Sequence, residues 1–343
     1  MAFVAARGAA PSTERTGRRH DMTYSKVLRG LLAAMLAAAA GVAQAQPAGV
    51  RLLVGYPAGG APDAVARVFA EHLRQVAGIP VVVENRAGAT GKLAIDAVQA
   101  APADGQTLMV MPASSLLLTP MVLTSANYDA VRDFAPVSAL AEYGFGVALG
   151  PAAQGATLAE FMAWAKGHAG QANYATPGLG TPQHFLGAEL ARQAGAPLTH
   201  VPYRGGANAV TDVLGGQVAA LITTEQLLVP YQAQGKLRAV LITSPQRNAK
   251  LPGVPTAREA GLPQLEAVDW FGLFAKAGTS ADRMAEWKAR AEAVLASPAY
   301  RKAIADLGYA LPAQPTAGLG PRLERERGRW RDRMRVSGFK ATE

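Results

Sequence analysis

Two hydrophobic rhythms alternate along this chain. The run Val50-Arg51-Leu52-Leu53-Val54 is short and apolar, and Gly55 and Pro57 stop it. Val65, Val68, Phe69, Leu73 and Val76 then recur at helical spacing, with Gly78 placed as the C-terminal cap. Val81-Val82-Val83 predicts a second strand, residues 91–100 a second helix and residues 107–111 a third strand. An order of β-α-β-α-β predicts a parallel sheet covered by helices on both faces. The rhythm resumes with a strand at 143–149, a helix at 158–166, a strand at 173–175 and a helix at 182–193. His200-Val201 opens a further strand-loop-helix unit that runs to Leu214, and strands follow at 218–223 and 237–243. After a strand at 270–275 only helical patterns remain, at 281–295, 298–307 and 317–335.

The pattern describes an α/β chain of two units, the second inserted within the first, because the terminal helices need a sheet to cover. The 343-residue length suits two domains. Insertion predicts that the chain crosses between units twice, near 142–147 and 264–270. The expected lobes are therefore residues 46–145 with 265–343, and residues 146–264, joined by a two-strand hinge. A cleft between hinged lobes is a natural ligand site.

Residues 1–45 read as a separate export segment. Lys26 and Arg29 precede an apolar run from Leu31 to Ala43, which ends in Ala43-Gln44-Ala45, a small-x-small cleavage pattern. Cleavage is expected after Ala45. Met22 is the better start of this signal, which would make residues 1–21 an upstream artefact. The apolar run is shorter than the ~20 residues that span a bilayer, so no stable membrane anchor is expected.

Composition narrows the function. Half the residues are hydrophobic and 17% are charged, enough material for two real cores. The formal net charge of +9 is concentrated near the ends, notably in the arginine-rich stretch 322–335. That stretch reads as a solvated helix face without the interleaved aromatics of a nucleic-acid surface, so no nucleic-acid partner is expected. There is no cysteine, which removes disulfides, thiol nucleophiles and lipoprotein anchoring. Gly88-Ala89-Thr90-Gly91-Lys92-Leu93 fails as a phosphate loop, because Arg86 stands where the first glycine belongs and Leu93 replaces the magnesium-binding hydroxyl. No nucleophile elbow occurs, and His72, His168, His184 and His200 lack metal-ligand spacing. Neither a catalytic residue, a metal nor a cofactor is implied.

Four polar loops stand at equivalent strand ends, where ligands bind in such sheets. In the first, Tyr56-Pro57-Ala58-Gly59-Gly60-Ala61-Pro62-Asp63, two glycines bare the backbone before a helix. The N–H groups of a helix start and its partial positive charge suit an anion. Asp63 either steadies the helix end or meets a ligand amine or water. The second loop, residues 176–182, carries Gly178, Gly180 and Thr181, with Thr181 placed as N-cap before Pro182. The third is Tyr203-Arg204-Gly205-Gly206, in which Arg204 is either a solvated loop residue or a bidentate partner for a carboxylate. The fourth is Pro112-Ala113-Ser114-Ser115. His184, one turn into a helix, is either a packing residue or a cleft residue.

At these loops the sequence resembles the Bug (Bordetella uptake gene) receptors, the periplasmic binding proteins of tripartite tricarboxylate transporters. The resemblance covers about residues 47–340. It is carried by Val54-Gly55-Tyr56-Pro57-Ala58-Gly59-Gly60 with Asp63, Val82-Val83-Glu84-Asn85-Arg86-Ala87-Gly88, Ala103-Asp104-Gly105-Gln106-Thr107-Leu108 and Asp133-Phe134-Ala135-Pro136-Val137. Further carriers are Gly180-Thr181 with His184, His200-Val201-Pro202-Tyr203-Arg204-Gly205, Leu214-Gly215-Gly216-Gln217-Val218, Gly235-Lys236-Leu237-Arg238-Ala239, Leu251-Pro252-Gly253-Val254-Pro255-Thr256 and Glu259-Ala260-Gly261-Leu262-Pro263. The resemblance implies a type II periplasmic-binding-protein fold and a periplasmic monomer that passes a small carboxylate to membrane transporter subunits. It implies a ligand pinched between loop 56–63 and loops 178–181 and 203–205. The family often has Asp where Ala219 and Thr223 stand, so Thr223 is a further site candidate, and the lost acid favours a plain organic acid over an amine-bearing one. A ligand-presenting sensory receptor and a secreted hydrolase are the alternative functions.

Overall fold

The computed structural model describes residues 49–341. The expected export segment lies outside the described residues. Strands β1 (Val50–Val54), β2 (Val81–Asn85) and β3 (Thr107–Pro112) form the expected parallel sheet, with β1 in the middle. Helix α1 (Ala61–Ala77) buries Val65, Phe69 and Leu73 against it and ends at Gly78, whose left-handed backbone returns its N–H to Arg74 O. Helix α2 (Lys92–Ala100) follows β2, and helix α3 (Ala113–Val122) follows β3 with no loop between. The fourth loop expected from the sequence is thus the first turn of a helix.

Strand β4 (Phe134–Leu149) is more than twice as long as the strand expected at 143–149. Its first part runs antiparallel to β9 (Val268–Lys276), from Phe134↔Lys276 to Gly144↔Val268, and β9 completes the first sheet against β3. Its second part pairs with β7 (Ala220–Thr224) on one side and β8 (Arg238–Ile242) on the other, starting at Phe145↔Thr224 and Gly146↔Ile242. Parallel strands β5 (Asn173–Thr176) and β6 (Thr199–Pro202) extend this second sheet beyond β7. The chain therefore changes sheets between Gly144 and Phe145. Gly144 has no room for a side chain, because the Glu225 carboxylate and the Ser244 hydroxyl lie where a Cβ would be.

Helices α4 (Leu158–Ala165), α5 (Pro182–Ala194), α6 (Gly206–Leu214) and α7 (Glu225–Ala233) cover the second sheet. The return crossing is stitched to the outgoing one by Thr243. Its Oγ1 accepts from Phe145 N at 2.8 Å and donates to Ala267 O at 2.7 Å, and Ala267 N reaches Thr243 O at 3.0 Å. The result is an α/β, type II periplasmic-binding-protein fold, two α/β lobes joined through a pair of crossing segments.

Helices α8 (Ala281–Ala296), α9 (Pro298–Asp306) and α10 (Leu319–Ser337) end the described chain. Helix α8 packs on α1 and β4, while α10 lies against α3 of the first lobe and α5 of the second. Arg333 of α10 also donates to the carbonyls of Gln264 and Glu266, at the approach to the return crossing. No helix among the described residues is long and apolar enough to cross a membrane.

Candidate ligand site

The first loop is shaped by its neighbours. A Cβ on Gly55 would sit 2.7 Å from Gly91 Cα, so only glycine lets residues 88–91 close over the end of β1. Gly59 has φ 79° with nothing within 4 Å of a would-be Cβ, which is open left-handed backbone. Gly60 is the N-cap of α1, and no side chain caps the helix. Asp63, only 2% exposed, accepts from Gly59 N (2.9 Å), Arg67 Nε (2.9 Å) and Asn85 Nδ2 (2.8 Å). Burial works against its charge, but these donors outweigh it and hold the carboxyl below its ordinary value. Its observed role is to fasten the loop. Asn85, which sequence reasoning did not single out as a site residue, also donates to Tyr56 O at 3.1 Å. The signal was its place at the end of a parallel strand, in register with Val54.

Tyr56 turns inward to Ser115, with 2.6 Å between the hydroxyls, and burial pushes its phenol up to about 12. Ser114 and Ser115 are buried in the first turn of α3, a correction to the expected polar loop. Ser114 donates from its N–H, at 3.2 Å, and from its hydroxyl to the buried carboxylate of Asp269. This helix start already holds an anion, and the anion belongs to the protein.

In the second lobe, parallel pairing of β5 and β6 sets loops 176–182 and 203–206 side by side. Tyr203 N donates to Thr176 O (3.0 Å) and Gly205 N to Pro177 O (2.9 Å). Thr181 occupies the N-cap position of α5, but its hydroxyl donates back to Gly178 O at 2.8 Å and does not cap the helix. The expected hydroxyl cap is therefore absent. Gly180 has φ 69°, and a Cβ there would lie 2.8 Å from Val122 at the end of α3, so the two lobes touch at this loop. Helix α6 begins after Gly205, φ 110°, again with no side-chain cap. Thr223, 1% exposed, lies beneath it, its Oγ1 3.5 Å from a would-be Cβ of Gly206. The Tyr203 hydroxyl is tied to Asp212 at 2.7 Å. Arg204 is exposed, and no ion pair of its guanidinium occurs among the described residues.

His184 braces the second loop from within. Its ring stacks on His200 at 3.9 Å and meets Phe339 edge-on at 5.4 Å, while Nδ1 accepts from Gly180 N at 3.3 Å. The Nε2 of His200 is 2.6 Å from Thr176 Oγ1. Burial lowers His184 to about 4 and His200 to about 3, so both rings are neutral near pH 7.

Within each lobe the predicted residues are neighbours. In the first, Tyr56, Gly59 and Asp63 are bound to one another or to Asn85 and Ser115, while Gly60 closes the turn on Pro57 O at 3.3 Å, with Ala58 in the turn between. In the second, Gly178, Gly180, Thr181, His184, Tyr203, Gly205 and Thr223 share one end of the sheet. Two further cavities, of about 540 and 810 Å³, open elsewhere on the second lobe and include none of these residues.

Residues 65–318 match the family model described as tripartite tricarboxylate transporter family receptor. A Cupriavidus necator protein of the UPF0065 group is 34% identical, covering 84% of this chain and 88% of its own. BugT of Bordetella pertussis is 32% identical, with 85% and 90% covered. Among solved structures, MatC of Rhodopseudomonas palustris with bound malate is 30% identical at a TM-score of 0.75, covering 83% of this chain and 98% of that one. An R. palustris protein with adipate superposes at a TM-score of 0.79 with 25% identity, covering 86% and 98%. The periplasmic binding protein BugD superposes at 0.78 with 27% identity, covering 85% and 98%. By sequence and by fold, the chain belongs to the tripartite tricarboxylate transporter receptor family.

Proposed function

We propose that this protein is a periplasmic receptor that closes its lobes on a small carboxylate and delivers it to the membrane subunits of a tripartite tricarboxylate-type transporter, without chemistry on the ligand. The observation that carries this reading is the set of uncapped helix starts at loops 56–63, 176–182 and 203–206. At each, the N-cap residue, Gly60, Thr181 or Gly205, makes no side-chain cap bond to the first-turn N–H groups, and such groups suit an anion. Other helix starts are mixed: α4 has a full capping box, Thr157 with Glu160, and α3 has Asp269, while α2, α7, α9 and α10 also lack a side-chain cap, so it is the placing of three such starts at glycine loops on strand ends that supports the reading. Arg204 adds an exposed cation beside the third loop. The malate and adipate held by relatives support a carboxylate as ligand.

The lobes we assign are residues 46–145 with 265–343, and 146–264, which the change of sheets between Gly144 and Phe145 supports. Export with cleavage after Ala45 is part of the same reading. In a thermal-shift screen of the protein beginning at Gln46, millimolar malate, adipate or another mono-, di- or tricarboxylate raises the melting temperature, while neutral sugars and amines do not. No rise with any of these acids would overturn the proposal.

A further inference from the structure

A network of buried polar groups runs from the hinge to the first ligand loop. Asp269 stands on β9 opposite Tyr143 of β4, one residue pair before β4 leaves the first sheet. Its carboxylate is 2% exposed and gathers four donors. Oδ1 accepts from Trp270 N (2.8 Å) and Ser114 N (3.2 Å), and Oδ2 accepts from Tyr143 OH (2.7 Å) and the Ser114 hydroxyl. Ser115, the next residue, carries the contact onward to Tyr56 at 2.6 Å. Tyr56 opens the glycine loop, and its carbonyl is held by Asn85, which also holds Asp63. One carboxylate thus binds both hinge strands, the start of α3 and, through it, the loop.

We propose that Asp269 is a positioning residue that ties the placement of the first glycine loop to the hinge, acting through Ser114, Ser115 and Tyr56. The proposal rests on loop 56–63 being a ligand loop. The geometry gives the carboxylate a purpose that packing alone does not. A buried acid is costly unless its bonds are satisfied, and a leucine would fill the space. Here the acid takes both the backbone and the side-chain donor of one serine, which fixes the azimuth of α3. The adjacent serine is left with a single direction, toward Tyr56. Ser115 is 4% exposed, and its hydroxyl lies 2.6 Å from that of Tyr56. Bending where β4 leaves the first sheet, one residue pair beyond Asp269, reaches the carboxylate through Tyr143 and passes on to the loop.

The test uses hydrogen–deuterium exchange on the ligand-free protein, comparing wild type with Asp269→Asn and Ser115→Ala. Asn keeps the shape of Asp269 but loses two acceptor sites, and Ala removes only the Ser115 hydroxyl. Both variants are expected to raise exchange at residues 55–62 about tenfold, the scale of one lost hydrogen bond in a charged network. Residues 177–182 of the other lobe should be unchanged. Equal exchange at 55–62 in wild type and Ser115→Ala would overturn the proposal, as would a rise of the same size in both loops. If Asp269→Asn does not fold, Ser115→Ala decides by the same two outcomes. Because no ligand is present, a failed carboxylate screen leaves this result standing, and the two ideas fall separately.

Discussion

The stacked pair of His184 and His200 is where single-residue chemistry bears most directly on loop shape. The imidazole of His184 can accept from Gly180 N only while Nδ1 is unprotonated. Two rings 3.9 Å apart cannot both charge without repulsion in a half-buried site. Their folded-state values, about 4 and about 3, lie below the ordinary histidine value near 6.5. The unfolded chain therefore binds more protons between these limits. The pair's contribution to stability is full above about pH 6.5 and is lost as pH falls toward 4 and below. Asp269 has the opposite sign. Burial raises it to about 6, so its contribution is full below its ordinary value near 3.9 and is lost as pH rises through 6. The whole-protein curve mixes the two, so the check is a difference. Urea midpoints measured from pH 7 to pH 4 should fall less steeply in His184→Gln than in wild type. Parallel curves would show that the pair does not titrate with folding.

At the scale of single elements, helix starts divide into those closed by the protein and those left open. Thr157 closes α4, accepting from Glu160 N while Glu160 accepts from Thr157 N. Thr157→Ala is expected to cost about 1 kcal/mol in urea denaturation and to leave ligand affinity unchanged. A large loss of affinity would mean that α4 belongs to the site. The sequence displayed α1, α5 and α8 because each is amphipathic and exposes one face. It hid α3, whose residues Ala-Ser-Ser-Leu-Leu-Leu-Thr-Pro-Met-Val are nearly all buried, so no polar stripe marks the helical period. Ser114 and Ser115 looked like loop residues, yet they are polar because they face Asp269 and Tyr56. The first part of β4 was hidden by Pro136, which a register shift between Pro136 and Ser138 accommodates. The glycine loops were legible because left-handed backbone demands glycine locally. Asp269 was not, since its partner Ser114 lies 155 residues away in sequence and only the fold joins them.

For the molecule as a whole, the lobes we assign place one inside the other, and among the described residues the chain passes between the two sheets at two crossings. Thr243 joins those crossings by side chain and backbone. Thr243→Val keeps the shape but leaves Phe145 N without its acceptor in a buried place, at a cost of about 1–3 kcal/mol. Calorimetry should show the melting temperature lowered with a single transition retained. An unchanged melting temperature would mean that the crossings are held by other contacts. Helix α10 adds a non-covalent link, resting on α3 and α5 at once. Just past its end, Phe339 meets the rings of both His184 and Phe185 edge-on. Anything fused shortly after that phenylalanine pulls on the aromatic wedge that steadies the second loop. A purification tag or sensor-chip tether is therefore better joined ahead of β1, whose first residue, Val50, is bonded to Pro80 and not to that wedge.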